Sequence, residues 1–323
     1  MVSAAGGADL ARTIAAADPL LLPLPFVATL LSYVTMSLSY EGIARAAGCG
    51  VGSLDMLRIT FVANTANYVL PTGGLSGFAL RMVMLSNKGV PGGRAVLVSF
   101  TQTVLTNFML VAFIAFGLVH LMLTGELSTA AIAALAVVVS GLLVFLAVCL
   151  LLVRRPLIRG KLLSRAHDLS LRLFDRFGRR ARYEQKTRDF FLHVEEGMAF
   201  FAARPRAMIA PTFWIFLDWL FTVAVLYTAC RAVGADVSYG DAIIAFAVAI
   251  VVAMASFVPG GVGVLEVTLA GMFASVGIPD EQAVLAIFVF RVAFYVIPVL
   301  LALLLVRGAF RSVDSATIEA ALR

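Results

Sequence analysis

The chain has 323 residues, of which 61% are hydrophobic and only 14% charged, and its mean hydropathy is +0.99. An average soluble domain is roughly a quarter charged, and a soluble fold of this length has no interior large enough for so much apolar surface. Soluble enzymes, nucleic-acid binders and disulfide scaffolds are excluded on these grounds, and Cys49, Cys149 and Cys230 are too scattered to suggest a disulfide framework or a metal site.

In chain order, residues 1–19 form an N-terminal segment with Asp9, Arg12 and Asp18. It lacks the basic region and small-residue cleavage site of a signal peptide, so the first apolar run is expected to be a true span. Five runs reach the ~20 residues that cross a bilayer, at 20–42, 95–121, 129–153, 208–230 and 283–306. Two further apolar regions are interrupted. Residues 54–70 stop at Pro71-Thr72-Gly73-Gly74 before a short run to Leu85, and residues 242–258 stop at Pro259-Gly260-Gly261 before a short run to Val276. Proline removes a helix donor and glycine frees the backbone, so each region is predicted to be a re-entrant hairpin or a broken helix. Such backbone is tolerated at membrane depth when protein or a watery cavity surrounds it. The expected division is membrane repeat 1 over 20–153, a basic loop over 154–207, membrane repeat 2 over 208–308 and a tail over 309–323.

Charge sets the sidedness. Residues 154–206 carry 14 Lys+Arg and 6 Asp+Glu, a charge of +8, while the rest of the chain carries 11 and 13, a charge of −2, so the basic balance comes from one loop. Basic loops stay inside. Counting from there, Arg45, Arg58, Lys88 and Arg94 fall inside, Asp236, Asp241, Asp280 and Glu281 fall outside, and the C-terminal arginines fall inside. The basic loop also carries Leu162, Leu169, Leu173, Phe177, Phe190, Phe191 and Phe201, and reads as amphipathic helix on an anionic lipid surface.

Sliding the chain by 188 residues aligns 65–100 with 253–288 at 9 identities in 36, among them Pro71/Pro259, Gly73/Gly261, Gly89/Gly277 and Pro91/Pro279. One copy opens inward and the other outward on the charge count. That is the signature of an inverted-topology repeat, whose interface holds substrate near the midplane in transporters.

The candidate site follows from the breaks. A helix starting just after Pro71 or Pro259 presents free N–H groups and a partial positive charge, and Gly73, Gly74, Gly260 and Gly261 allow close approach of an anion such as phosphate. Ionisable residues inside apolar runs are costly and usually mark function, and four stand out: Arg81, Asp218, Glu266 and Arg291. Arg81 and Arg291 are expected to hold a phosphate through the guanidinium fork, with Asp218 and Glu266 binding an amino group or a proton. The bland alternative is a set of ion pairs that fix helix packing. Asn64 and Asn67 either cap the broken backbone or touch a headgroup. Gln102, Thr103, Thr106 and Asn107 form a polar patch expected to face the bundle interior. His120, His167 and His193 have no neighbours of catalytic or metal-ligating spacing, and no P-loop occurs, so neither a cofactor nor a metal is expected.

The segments NTANYVLPTGGLSGFALRMVML and SFVPGGVGVLEVTLAGMFASVGIP, followed by Arg291 within a span, resemble the lysylphosphatidylglycerol synthase transmembrane region, a group that also covers stand-alone flippase-like proteins. The resemblance runs from about Leu20 to Arg311. In the first segment the family often has an acid three residues before the arginine, where Phe78 stands here. The chain ends at Arg323, without the soluble aminoacyl-tRNA-using domain of the full synthases, so the resemblance implies transport and not enzymatic synthesis. The expected protein is an all-α polytopic protein of a bacterial or archaeal-type cell membrane. Its expected work is to flip an anionic or zwitterionic lipid, such as an aminoacylated phospholipid or a polyprenyl-phosphate-linked sugar, with membrane lipids and no nucleic acid as partners. A small-solute secondary transporter and a non-catalytic subunit of a lipid or glycan synthesis system are the alternatives.

Overall fold

The computed structural model describes residues 15, 17–69, 75–124, 140–176, 180–256 and 258–310, apart from 142, 145, 149 and 153. No strand occurs among the described residues. The helices are α1 (Leu24–Ala46), α2 (Ser53–Val69), α3 (Leu75–Ser86), α4 (Gly92–Thr124), α5 (Pro156–Arg176), α6 (Arg180–Ala203), α7 (Ile209–Ala232), α8 (Tyr239–Ser256), α9 (Val264–Ser275), α10 (Asp280–Arg291) and α11 (Ile297–Phe310). Among the described residues, three stretches are long and apolar enough to cross a membrane: Gly92–Gly117, Pro205–Ala232 and Asp280–Val306. Most of the expected span over 129–153 lies outside the described residues, as do Pro71, Gly73 and Gly74.

α1 is as long as a span but carries a row of hydroxyls. Thr29, Ser32, Thr35, Ser37 and Ser39 are buried, while Leu24, Val27, Leu30, Leu31 and Val34 are exposed. Four of these five hydroxyls have partners in the described contacts, locally or across helices. Thr29 donates to the Pro25 carbonyl at 3.0 Å and Thr35 to that of Leu31 at 2.9 Å. Ser39 donates to Gln102 at 2.8 Å and to the Pro211 carbonyl at 3.0 Å. The polar row therefore faces protein, and α1 packs along α7 more extensively than any other two helices described.

Two apolar cores flank this pair. One joins α7, α8, α9 and α10 around Phe246, Phe273, Phe290 and Phe294. The other joins the end of α1 to α2, α3 and the start of α4 around Ile43, Met56, Met84 and Leu85. α2 packs against α11, and α8 against α4. The α4–α8 seam is very close. A Cβ added at Gly117 would lie 2.7 Å from Ile244 Cδ1, and one at Gly240 would lie 2.6 Å from the His120 ring. The basic loop folds into α5 and α6, packed on each other, with Leu157, Leu162 and Leu169 exposed among the arginines.

In the second interrupted region, a 3-10 turn (Pro259–Gly261) stands between α8 and α9, where the sequence places the break. In the first, α2 and α3 pack against each other, and residues 70–74, where the break is expected, lie outside the described residues. The ends of α3 and α9 are built alike. Gly89 and Gly277 both have φ of 79°. Val90 N–H bonds the Leu85 carbonyl and Ile278 N–H that of Phe273, each after a bond from the glycine itself. Ala95 then bonds Pro91, and Ala283 bonds Pro279. All these pairs are 188 residues apart. The ends of α1 and α7 match at a separation of 186. There Cys49 N–H bonds the Ala44 carbonyl and Ala235 N–H that of Cys230, and Gly48 and Gly234 have φ of 73° and 78°.

The last span departs from expectation. The run 283–306 is not one regular helix, because a π turn (Val292–Val296) separates α10 from α11 directly after Arg291. Wide turns of this kind often sit at functional positions.

Candidate functional site

Around Pro259-Gly260-Gly261 the backbone takes a path open to glycine. Gly260, Gly261 and Gly263 have φ of 58°, 61° and 83°. The carbonyls and N–H groups released there are taken up by two side chains. Glu266, in the first turn of α9, accepts the Gly263 N–H at 2.7 Å through Oε2. Its Oε1 lies 2.6 Å from Arg291 Nε, an ion pair. Arg291 Nη1 donates to the Gly260 carbonyl at 2.8 Å and Nη2 to that of Gly261 at 3.1 Å. The guanidinium lies 4.2 Å from the Tyr295 ring centroid. One arginine thus ties the break, α9 and the π turn together.

This cluster lines a groove of about 770 Å³ between α9 and the α10–α11 helix. Its other walls are aliphatic and aromatic, and several stand on the outer surface: Val262, Val267, Val284, Phe288, Val296 and Leu300 are 47–73% exposed. The groove therefore opens sideways, with an ion pair set among apolar walls.

The remaining candidates lie elsewhere. Arg81 is buried at 4% exposure on α3, its guanidinium 4.1 Å from the Tyr40 ring centroid, and its Nε has no hydrogen-bond partner among the described residues. It does not line the groove, so the expected pairing of Arg81 with Arg291 around one phosphate does not occur in this conformation. Asp218 is buried on α7, where it accepts a 2.6 Å hydrogen bond from Ser32. It meets neither Glu266 nor an arginine in the described contacts. Asn67 caps: its Oδ1 accepts the Gly77 N–H of α3 at 2.7 Å. Asn64 reaches the Tyr33 hydroxyl at 3.5 Å. The expected inward patch on α4 divides. Gln102 is buried and bonded to Ser39, whereas Thr103 and Asn107 donate back to their own helix, to the Ser99 and Thr103 carbonyls. Lys88 and Asp55 pair at 2.9 Å, and Glu41 pairs with Arg45 and accepts from Ser53.

Tyr295, Tyr40, Ser32 and Thr222 are site neighbours that sequence reading did not single out. Tyr295 had a usable signal, one turn beyond an arginine within an apolar run. The others are ordinary residues of membrane helices and had none.

The chain matches the family described as the lysylphosphatidylglycerol synthase TM region over residues 1–302. It belongs to that family. Among curated proteins it is similar to the phosphatidylglycerol lysyltransferases of Staphylococcus aureus strain COL, at 35% identity over 89 residues, and of Staphylococcus haemolyticus, at 33% over 95 residues. These stretches are 28% and 29% of this chain and 11% of each relative, so the match spans about a ninth of the relatives' length. Family membership and the long apolar helices make this a multi-pass membrane protein in contact with membrane lipids, with a lipid-related function.

Proposed function

We propose that this protein moves a lipid with an anionic or zwitterionic headgroup from one leaflet to the other. The observation that carries the reading is the sideways groove with the Glu266–Arg291 pair among exposed apolar walls. Acyl chains lie against apolar walls at no desolvation cost, while a headgroup needs charged partners away from water. Arg291 Nη1 and Nη2 each give one N–H to a backbone carbonyl, and the second N–H on each of these nitrogens is the donor the reading assigns to a phosphate. The carboxylate of Glu266 suits an amino group on the same headgroup. A small-solute carrier would be better served by an enclosed cavity. On this reading the chain carries out no covalent chemistry, and the names of its relatives make phosphatidylglycerol lipids the first to test.

The reading also takes the two broken regions as copies of one unit. The 188-residue match of α2, α3 and the start of α4 to α8, α9 and α10 supports it, as does the 186-residue match of α1 to α7. With the charge of the loops, the copies are inverted, both breaks are re-entrant, and the C-terminus and the basic α5–α6 pair face the cytoplasm and its anionic lipids.

The test is proteoliposomes carrying NBD-labelled phosphatidylglycerol, with dithionite reading the outer leaflet. The wild type equilibrates the label between leaflets. Arg291→Lys and Glu266→Gln are expected to slow it roughly tenfold, the equivalent of one lost charge-assisted bond, and to lower the melting temperature as well, since the pair also ties the break to α9; the rates are therefore compared on protein that is folded at the assay temperature. Label that stays on its original side with the wild type would end the reading.

A further inference from the structure

We infer that Asp218 is a proton-binding site at the crossing of α1 and α7, and that protons passing through it drive the lipid movement proposed above. Asp218 lies about 14 Å into α7, in the stretch Pro205–Ala232 that is long enough to span a membrane. It is 4% exposed. Ser32 Oγ donates to it at 2.6 Å, and Ser32 Oγ and Thr222 Oγ1 lie 3.1 Å apart. These hydroxyls orient a carboxyl group but bring no positive charge. No lysine, arginine or histidine pairs with Asp218 among the described residues. A carboxylate buried this way at membrane depth is costly unless a proton neutralises it.

The charged groups of the neighbouring helices are engaged elsewhere. Tyr40 of α1 is within electrostatic reach of Asp218 and also of Arg81, whose guanidinium lies 4.1 Å from its ring centroid. Glu41 and Arg45 of α1 pair with each other, Asp241 of α8 pairs with His120 of α4, and Arg291 of α10 pairs with Glu266. Asp280 and Glu281 stand at the far end of α10, and Arg206 is exposed in the 3-10 turn before α7. None of these faces Asp218.

Position supplies the coupling. Ser32 and Asp218 are 186 residues apart, the separation that relates α1 to α7, and they touch each other. Equivalent positions that touch lie on the axis between the two halves. A group on that axis is exposed toward one side or the other as the halves rock. The O–H bond of Asp218 forms with a proton from water on one side and breaks when that proton leaves to water on the other, and no electron moves.

The first readout needs no lipid. Infrared spectra of the purified protein in nanodiscs at neutral pH should show a protonated carboxyl band that shifts with ¹³C-labelled aspartate, moves in Ser32→Ala and is absent in Asp218→Asn. The second uses the NBD-phosphatidylglycerol proteoliposomes with pyranine inside. An imposed pH gradient should speed wild-type lipid entry severalfold with matching acidification, and Asp218→Asn should lose both effects. No labelled-aspartate band in the wild type, or a full gradient response in Asp218→Asn, would overturn the inference. A band at Asp218 without lipid movement by the wild type would support the proton site and count against the lipid reading instead.

Discussion

Gly261 answers to two constraints at once. Its φ of 61° is a left-handed conformation, and a Cβ built there would lie 2.8 Å from the Ala253 Cβ on α8. The first costs about 1–2 kcal/mol for a residue with a side chain, and the second forces α8 and the turn apart. Gly261→Ala is therefore expected to lower the melting temperature by several degrees, and by more than Ala does at Gly271, whose Cβ would meet nothing within 4 Å. Equal melting of the two variants would mean the turn relaxes freely. The residue scale is also where sequence was most informative. Charges are so rare within these apolar runs that Arg291, Glu266, Asp218 and Arg81 stand out unaided. Their grouping was not legible, because burial beside Tyr40 or Tyr295 is decided by how helices cross. Arg81 and Arg291 look alike in sequence and both rest on an aromatic ring, yet in the contacts described it is Arg291 that holds two backbone carbonyls.

At the scale of elements, helix ends were legible and helix interiors less so. Proline and glycine mark breaks by their chemistry, which is why the turn at Pro259–Gly261 before α9 follows from sequence. The π turn had no such mark, since Val-Ala-Phe-Tyr-Val is equally apolar in a regular helix. The start of α8 shows an end secured by side chains. Asp241, just before the apolar run of 242–258, accepts from the Ser238 hydroxyl at 2.6 Å and from the Ser238 N–H at 3.2 Å, and lies 2.9 Å from His120 Nε2. Partial burial acts to raise its carboxyl, but the Ser238 and His120 hydrogen bonds outweigh burial and hold it below the ordinary aspartate value of 3.8. A lowered carboxyl stabilises the folded state above its unfolded value and loses that contribution as pH falls through the folded one. Asp241→Asn should thus cost roughly 1 kcal/mol at neutral pH, the usual worth of a cap. Its deficit should vanish in melting curves taken well below pH 3.8. A deficit that persists there would assign the loss to packing.

For the whole molecule, the proposed inverted arrangement makes a two-sided expectation. Asn87 follows α3, in the turn before α4, and Glu281 lies in the first turn of α10, just after the equivalent turn of the second copy. Single cysteines at these positions, in a background with Cys49, Cys149 and Cys230 replaced, should react with an impermeant maleimide from opposite faces of the membrane. Reaction of both from one face would sink the inverted reading while leaving the helices as they are. The overall helical class was legible because composition alone demands a membrane. The pairing of α1 with α7 was not, since their hydroxyl-rich faces carry no sign of which helix they meet.

The seam between α4 and α8 has a mechanical consequence. Ile244 of α8 sits in the notch at Gly117 of α4, and His120 of α4 sits in the notch at Gly240 of α8. Each rod carries one peg and one socket, so neither can slide along the other without driving a side chain into backbone. Shear is blocked at this joint, and the motion left to it is prising apart. The His120–Asp241 contact lies at the start of α8, so a parting of the two helices from that end has to break it.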